Sequence, residues 1–116
     1  MAFHGSGPIG NDQAIEEFGA ILFLISDRVD ESLDRLENSN TLEQVTMAGV
    51  TALRVLAQKY PQYSTIALVK SRLEEWRRRY FSWLDRVESR LPPRFREEIR
   101  SSAQKEFDLL LEHAAF

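Results

Sequence analysis

The chain contains no cysteine, only two histidines and no long run of apolar residues. Without cysteine it can form no disulfide, no thiolate nucleophile and no cysteine-based zinc site. The longest apolar run, residues 20–25, is far shorter than the roughly 20 residues that a membrane span requires. The N-terminus also lacks the basic and apolar regions of a signal peptide. We therefore expect a soluble, cytoplasmic protein that does not associate with membranes.

Neither sign of charge dominates the chain as a whole, but the two halves differ. The 116 residues carry a net charge of −3, and 43% of them are hydrophobic, which suits a single soluble domain. Residues 1–58 contain three Arg or Lys and nine Asp or Glu, whereas residues 59–116 contain twelve and nine. An acidic half and a basic half can attract each other, either within one fold or between subunits.

Apolar residues recur at helical spacing, and no segment alternates as a strand does. The pattern predicts a first helix from about Asp12 to Leu36, because its apolar residues fall at steps of three and four. They are Ile15, Phe18, Leu22, Ile25, Val29, Leu33 and Leu36. Residues 38–40 break this helix, and Thr41 with Gln44 forms a capping box for a second helix that ends near Lys59. Its apolar face is formed by Leu42, Val45, Leu53 and Leu56, with the small residues Ala48, Gly49 and Ala52 beside them.

The third helix has the clearest apolar seam of the chain. We predict that it begins near Ser64, after the break at residues 60–64, and ends at about Arg90. Its seam is Ile66, Val69, Leu73, Trp76, Tyr80, Trp83, Val87 and Leu91. Pro92 and Pro93 end it, and Pro93 suits the first turn of a fourth helix. That helix carries Phe95, Ile99, Ala103, Phe107, Leu110 and Ala114. Short breaks favour antiparallel neighbours, so the expected fold is an all-α, four-helix up-and-down bundle.

The N-terminus is glycine-rich, and residues 5–10 match the pattern G-x-G-x-x-G. That pattern binds a dinucleotide only when it follows a strand and opens a helix inside a βαβ unit. Only four residues precede it here, and no second strand follows. We therefore interpret the segment as an arm or tight turn whose glycines permit positive φ angles. Asn11 or Asp12 then caps the first helix.

The same opening resembles that of a bacterial domain-of-unknown-function family (four-two-five-nine), whose members begin M-G-x-W-G-x-G-x-F-x-N-D-x-A. The resemblance covers some fourteen residues, with a weaker likeness through the next two helices. The chain differs from the pattern at Ala2, His4 and Ile9. It keeps Gly5, Gly7, Asn11, Asp12 and Ala14 in register. The resemblance implies a small bacterial helical domain and assigns no activity.

These patterns divide the chain into a glycine-rich arm, residues 1–11, and one helical domain, residues 12–116. Phe3 and Ile9 are bulky apolar residues among the glycines of the arm. If they pack on the bundle, the arm is a structural clasp; if they are exposed, it is a segment that orders on a partner. We favour the clasp, because solvent exposure explains two such residues poorly.

Catalytic and metal-binding patterns are not apparent in the sequence. Neither His4 nor His113 has ligands at the spacing of helical zinc or di-iron sites. The adjacent acidic pairs, such as Glu74 and Glu75, diverge by about 100° around a helix and do not share a site. We therefore expect no cofactor, no metal and no enzymatic activity.

The most suggestive cluster is Trp76-Arg77-Arg78-Arg79-Tyr80. Arginines beside aromatic rings can bind phosphates and stack on bases. However, Trp76 and Tyr80 lie on the apolar seam, and Glu74 and Glu75 precede Arg78 and Arg79 by four residues, which favours surface ion pairs. The three arginines thus form either a solvated face, a protein interface or, as the alternative function, a site for nucleic acid or an anionic ligand.

We expect the protein to act through protein–protein interaction, by self-association or by binding another bacterial protein. The predicted first and third helices are longer than the other two and should project beyond them. That projection would leave apolar seam residues uncovered and would favour a homodimer. The candidates are Leu33, Leu36, Ile66, Val87 and Leu91.

Overall fold

The computed structural model describes residues 11–38, 45–64 and 67–114, in which all regular secondary structure is helical. This confirms the all-α prediction. The helices are α1 (Asp12–Glu37), α2 (Val45–Lys59), α3 (Pro61–Ser64), α4 (Lys70–Val87) and α5 (Pro93–Leu111), with a short 3-10 helix at Glu88–Arg90. The four long helices pack into an elongated bundle of 54 × 24 × 23 Å.

The long helices alternate in direction along the chain, but two pairs of helices that pack side by side, α1 with α4 and α2 with α5, run parallel. The closest packing joins α1 to α2, α2 to α5, α5 to α4 and α4 to α1, so α2 and α4 occupy opposite corners. Arg72 at the start of α4 bonds to Asp27 and Asp30 of α1, and Arg79 further along bonds to Asp34 and Glu37. Because both partners advance in the same direction, α1 and α4 are parallel.

The two ends of α1 follow the sequence-based prediction closely. The side-chain oxygen of Asn11 accepts a hydrogen bond of 2.9 Å from the backbone nitrogen of Ala14, which confirms Asn11 as the N-cap. At the other end, the side-chain amide of Asn38 donates to the carbonyl of Asp34. The predicted capping box at residues 41–44 lies outside the described residues, and α2 ends at Lys59 as expected.

The third predicted helix is shorter than its apolar pattern suggested. Residues 61–64 form a separate turn, α3, and α4 begins only at Lys70. Ala67 and Leu68 are buried in the connection between them. Val69 is extended and caps α4 without a side-chain hydrogen bond. The prediction that this helix begins near Ser64 was therefore wrong: Ala67 lies in a 3-10 turn and Val69 is extended, so the α-helix starts only at Lys70.

Most of the predicted apolar seams form the core. Every α4 seam residue from Leu73 to Val87 is buried, and Trp76, Tyr80 and Trp83 are the largest of them. The aromatic rings of Tyr80 and Phe107 lie 5.9 Å apart between α4 and α5. Three seam residues are more exposed than predicted, since each lies at or near an end of its helix: Val45, Val69 and Phe95.

The approach of α2 to α1 depends on Gly49. A Cβ atom at this position would lie 2.5 Å from a methyl carbon of Val29, closer than any side-chain contact permits. The small-residue face predicted on α2 therefore does bring a neighbour close, although Ala48 is exposed and takes no part. One turn away, the hydroxyls of Ser32 and Thr46 lie 2.7 Å apart and bond within the core.

Three of the predicted homodimer residues are not available for an interface, and a fourth, Leu91, is half-buried. Leu33, Leu36 and Val87 are buried within the bundle, and Ile66 lies outside the described residues. The predicted pair of long helices was also wrong, since α1 has 26 residues and α4 has 18. The N-terminal half of α1 also has neighbours, since Leu22 is buried and the ring of Phe18 lies 5.3 Å from that of Tyr60.

Candidate protein-binding surface

The three consecutive arginines of α4 form ion pairs with residues of three different helices. Arg77 pairs with Asp108 of α5 at 2.8 Å, and Arg78 pairs with Glu75 on its own helix. Arg79 reaches α1, where it bonds to Asp34 at 2.6 Å and to Glu37. The predicted i,i+4 pairing of Glu74 with Arg78 is replaced by a 4.0 Å contact between Glu74 and Lys70.

Two of these ion pairs shift the pKa of a participating group. The hydrogen bond from Arg79 to Glu37 raises the pKa of the Arg79 guanidinium above its usual range, against the opposing effect of partial burial. The hydrogen bond that Glu75 accepts from Arg78 lowers the pKa of the Glu75 carboxyl. Each arginine of the cluster lies beside a carboxylate, and the aromatic side chains that flank them, Trp76 and Tyr80, are buried.

Arginines at seven-residue intervals on α4 join it to α1. The first, Arg72, bonds to Asp27 and Asp30, and its guanidinium lies 5.4 Å from the centre of the Trp76 ring. The second is Arg79. The third, Arg86, donates to the backbone carbonyls of Leu36 and Glu37 at the end of α1. These residues attach α4 along the C-terminal half of α1, from Asp27 onward.

The N-terminal half of α1 precedes that attachment. Arg72 is near the start of α4, so residues 12–26 of α1 precede its ion pairs, a length of about 22 Å at 1.5 Å per residue. On this half three large apolar side chains lie within four positions: Ile21 and Phe23 are each 42% exposed and Leu24 is 67% exposed. Ile21 and Leu24, three residues apart, share one side of the helix, and we call these two residues the α1 apolar face. Phe23 lies about 100° around α1 from Leu24 and is on another side.

A groove of about 410 Å³ lies on the side of α1 that carries Ile15, Gly19 and Phe23. One wall is formed by α1, and Tyr63 of α3 contributes the other side. The lining is almost entirely apolar and consists of Ile15, Glu16, Gly19, Ala20, Phe23 and Tyr63. Gly19 has no atom within 4 Å of the position that a Cβ would occupy, so the groove is open at this point.

A second groove of about 330 Å³ lies between α2 and α5, with Tyr80 among its lining residues. It is more polar, since Thr51, Ser102, Glu98 and Glu106 contribute to its walls. The Nε and Nη2 atoms of Arg54 donate to the two carboxylate oxygens of Glu106 at 2.7 and 3.0 Å. This pair joins α2 to α5.

Other sequence-predicted residues contribute nothing to this surface. Phe3 and Ile9, the predicted interaction residues of the arm, lie outside the described residues, as does His4. His113 lies just beyond α5 and is half-buried. Within the described part of the chain, no three His, Asp or Glu side chains are grouped so that they could bind a metal ion. No helix in residues 11–38, 45–64 and 67–114 is both long and apolar enough to cross a bilayer.

No protein-family model, curated protein or solved structure matches this chain. The resemblance of residues 1–14 to a bacterial domain-of-unknown-function family therefore stays a hypothesis. The function has to be inferred from the surface itself.

The sequence analysis did not predict the α1 apolar face, although the sequence contains one signal for it. Residues 20–25 form the longest apolar run of the chain, and a single helix face cannot bury six consecutive residues. Leu22 is buried, Ile25 is half-buried, and the other large side chains of the run face solvent.

Proposed function

We propose that the protein is a protein-interaction module that binds another polypeptide on the N-terminal half of α1. The observation that carries this proposal is the exposure of Ile21 and Leu24, at 42% and 67%, on one side of α1. Contiguous exposed apolar surface is characteristic of interaction sites, whereas single exposed apolar residues are ordinary. Complete burial of one large aliphatic side chain contributes about 1.5–3 kcal/mol, so burial of Ile21 and Leu24 can support binding.

The shape of the surface favours a helical segment as the ligand. The α1 apolar face is a convex helix surface, and an amphipathic helix that packs along it would bury Ile21 and Leu24 together.

Nucleic-acid or anionic-ligand binding stays a prediction for the basic third and fourth long helices, α4 and α5. Against it stands the pairing of Arg77, Arg78 and Arg79 with carboxylates. A phosphate would have to displace these partners, and bases could not stack on the buried Trp76. Titration with single-stranded and duplex oligonucleotides at two salt concentrations tests it, since phosphate contacts weaken steeply with salt.

The proposed function is tested by affinity capture with a matched pair of variants. Immobilised wild-type protein, Leu24→Glu and Val55→Glu are each exposed to a lysate of the source organism and to free copies of the chain. Val55 is an exposed apolar residue on α2, 47% accessible, so Val55→Glu is a control for the same chemical change elsewhere.

We expect the wild type and Val55→Glu to retain a common polypeptide that Leu24→Glu does not. Circular dichroism of the three proteins shows whether each remains folded. Equal retention by all three folded proteins, or retention by none, would refute α1 as the binding surface.

A further inference from the structure

We infer that the polypeptide bound on α1 is a second copy of this chain, paired antiparallel through α1. This inference rests on the proposed function and identifies its partner. The four residues that carry it are Glu17, Ile21, Leu24 and Arg28, which follow one another at steps of four, three and four. That spacing places all four on the same side of α1, and all four are exposed to solvent.

The order of these residues is self-complementary when one copy is reversed. An acidic residue begins the set, two apolar residues occupy its centre and a basic residue ends it. In an antiparallel pair, Glu17 of each copy lies opposite Arg28 of the other, and Ile21 lies opposite Leu24. Two symmetric ion pairs then flank a cluster of four aliphatic side chains, as a two-fold axis requires.

Other arrangements of the same helices are disfavoured by charge. A parallel two-fold pair would place Glu17 opposite Glu17 and Arg28 opposite Arg28. An antiparallel pair shifted by about one turn would bring Glu17 opposite Glu31, which is also acidic. Like charges placed directly opposite each other are unfavourable and suppress incorrect pairings, so the charges specify both direction and register.

Arg28 can leave its partner within the chain and pair with Glu17 of the second copy. It contacts Glu31 on its own helix at 3.6 Å, with the two side chains 63% and 65% exposed. A long, exposed ion pair of this kind contributes little to stability. The set spans eleven residue steps, about 16 Å of helix, so the interface is small and the expected dimer is weak and dependent on concentration.

Variants in which the charge of Glu17 or Arg28 is reversed test the inference, and the association of the full chain is measured by sedimentation equilibrium. We expect the wild-type mass to rise with concentration from 13.4 kDa towards twice that value. Glu17→Arg or Arg28→Glu should each raise the dissociation constant roughly tenfold or more, because two repulsive contacts replace two attractive ones. The double variant Glu17→Arg/Arg28→Glu should associate as the wild type does.

Mixing the two single variants gives the sharpest result. In a pair formed by a Glu17→Arg chain and an Arg28→Glu chain, position 17 of the first chain, now Arg, faces position 28 of the second, now Glu. At the other end, the unchanged Arg28 of the first chain faces the unchanged Glu17 of the second. The equimolar mixture should therefore associate more strongly than either variant alone. Lys105→Glu, an exposed reversal on α5, is the control and should leave the wild-type association unchanged.

The outcomes separate this inference from the proposed function. If the chain is monomeric at every concentration while Leu24 is still required to capture a different protein, self-pairing is overturned and the interaction module stands. If the chain associates but the charge variants and Leu24→Glu all behave as the wild type, the α1 interface is overturned. If neither association nor Leu24-dependent capture occurs, both proposals fail.

Discussion

The indole nitrogen of Trp76 donates a hydrogen bond of 2.6 Å to a carboxylate oxygen of Asp30, which joins α4 to α1. The other oxygen of Asp30 accepts from Arg72, whose guanidinium also lies over the Trp76 ring. One carboxylate thus satisfies a buried indole and a neighbouring cation together. Hydrogen bonds to charged groups contribute more than neutral ones, about 1.5–3 kcal/mol each.

Replacing each tryptophan of α4 by phenylalanine isolates that hydrogen bond. Trp76→Phe and Trp83→Phe remove the same atoms from two almost fully buried side chains. Trp83 has no hydrogen-bond partner for its indole nitrogen among the described residues, whereas Trp76 has Asp30. We expect Trp76→Phe to reduce the free energy of unfolding by about 1.5–3 kcal/mol more than Trp83→Phe. Urea denaturation of both variants measures the difference, and equal losses would show that the bond to Asp30 contributes nothing.

Replacement of Asp30 by alanine should reduce the stability more than replacement of Asp27, the other α1 carboxylate that bonds to Arg72. Asp30→Ala removes the acceptor of Trp76 and leaves a buried N–H group unpaired, which costs about 1–3 kcal/mol. Asp27→Ala removes only an exposed contact with Arg72 and should cost much less. Thermal denaturation of the two variants at one salt concentration provides the comparison. A larger effect for Asp27 would contradict the role assigned to Asp30.

The two helical glycines should respond to alanine in opposite directions. Alanine is favoured over glycine inside a helix by about 0.5–1 kcal/mol. At Gly19 a Cβ meets nothing within 4 Å, so Gly19→Ala should raise the stability by that amount. At Gly49 the same atom would lie 2.5 Å from Val29, so the helix gain is outweighed by overpacking, which costs typically about 1–3 kcal/mol. Stabilisation by Gly49→Ala in a urea melt would mean that α1 and α2 can separate freely.

Removal of the N-terminal arm tests the clasp hypothesis. Ten residues precede Asn11, and an extended chain of that length reaches about 33 Å. The apolar groove begins at Ile15, one turn into α1, so it lies within this reach. If Phe3 and Ile9 pack on the bundle, deletion of residues 2–9 should lower the melting temperature, and Phe3→Ser/Ile9→Ser should lower it similarly. An unchanged melting temperature in both variants would favour the alternative, in which the arm binds a partner.

Local pattern alone determined much of the fold. The bounds of α1, its Asn11 cap, the end of α2 at Lys59 and the Pro93 start of α5 were all predictable, because caps, prolines and apolar periodicity act over a few residues. The burial of Trp76, Tyr80 and Trp83 followed from the α4 seam in the same way. These features need no knowledge of which helix lies beside which.

Tertiary structure decided the partners of the charged residues. Local spacing predicted pairs within α4, but Arg79 bonds to Asp34 and Glu37, more than forty residues away. An arginine that reaches two carboxylates on a neighbouring helix gains more than one exposed contact on its own helix can provide. Nothing in the local pattern shows that α4 lies parallel to α1 and within reach of its acidic residues.

The exposure of the α1 apolar face was likewise decided only in three dimensions. Ile21 and Leu24 have the composition of a core, and the sequence by itself determined only that they lie on a helix. They remain exposed because α2, α3 and α4 pack against other sides of α1, where residues such as Leu22, Val29 and Leu33 are buried. Whether an apolar residue is core or surface depends on which sides of its helix have a neighbour, and only the packing of the helices decides that.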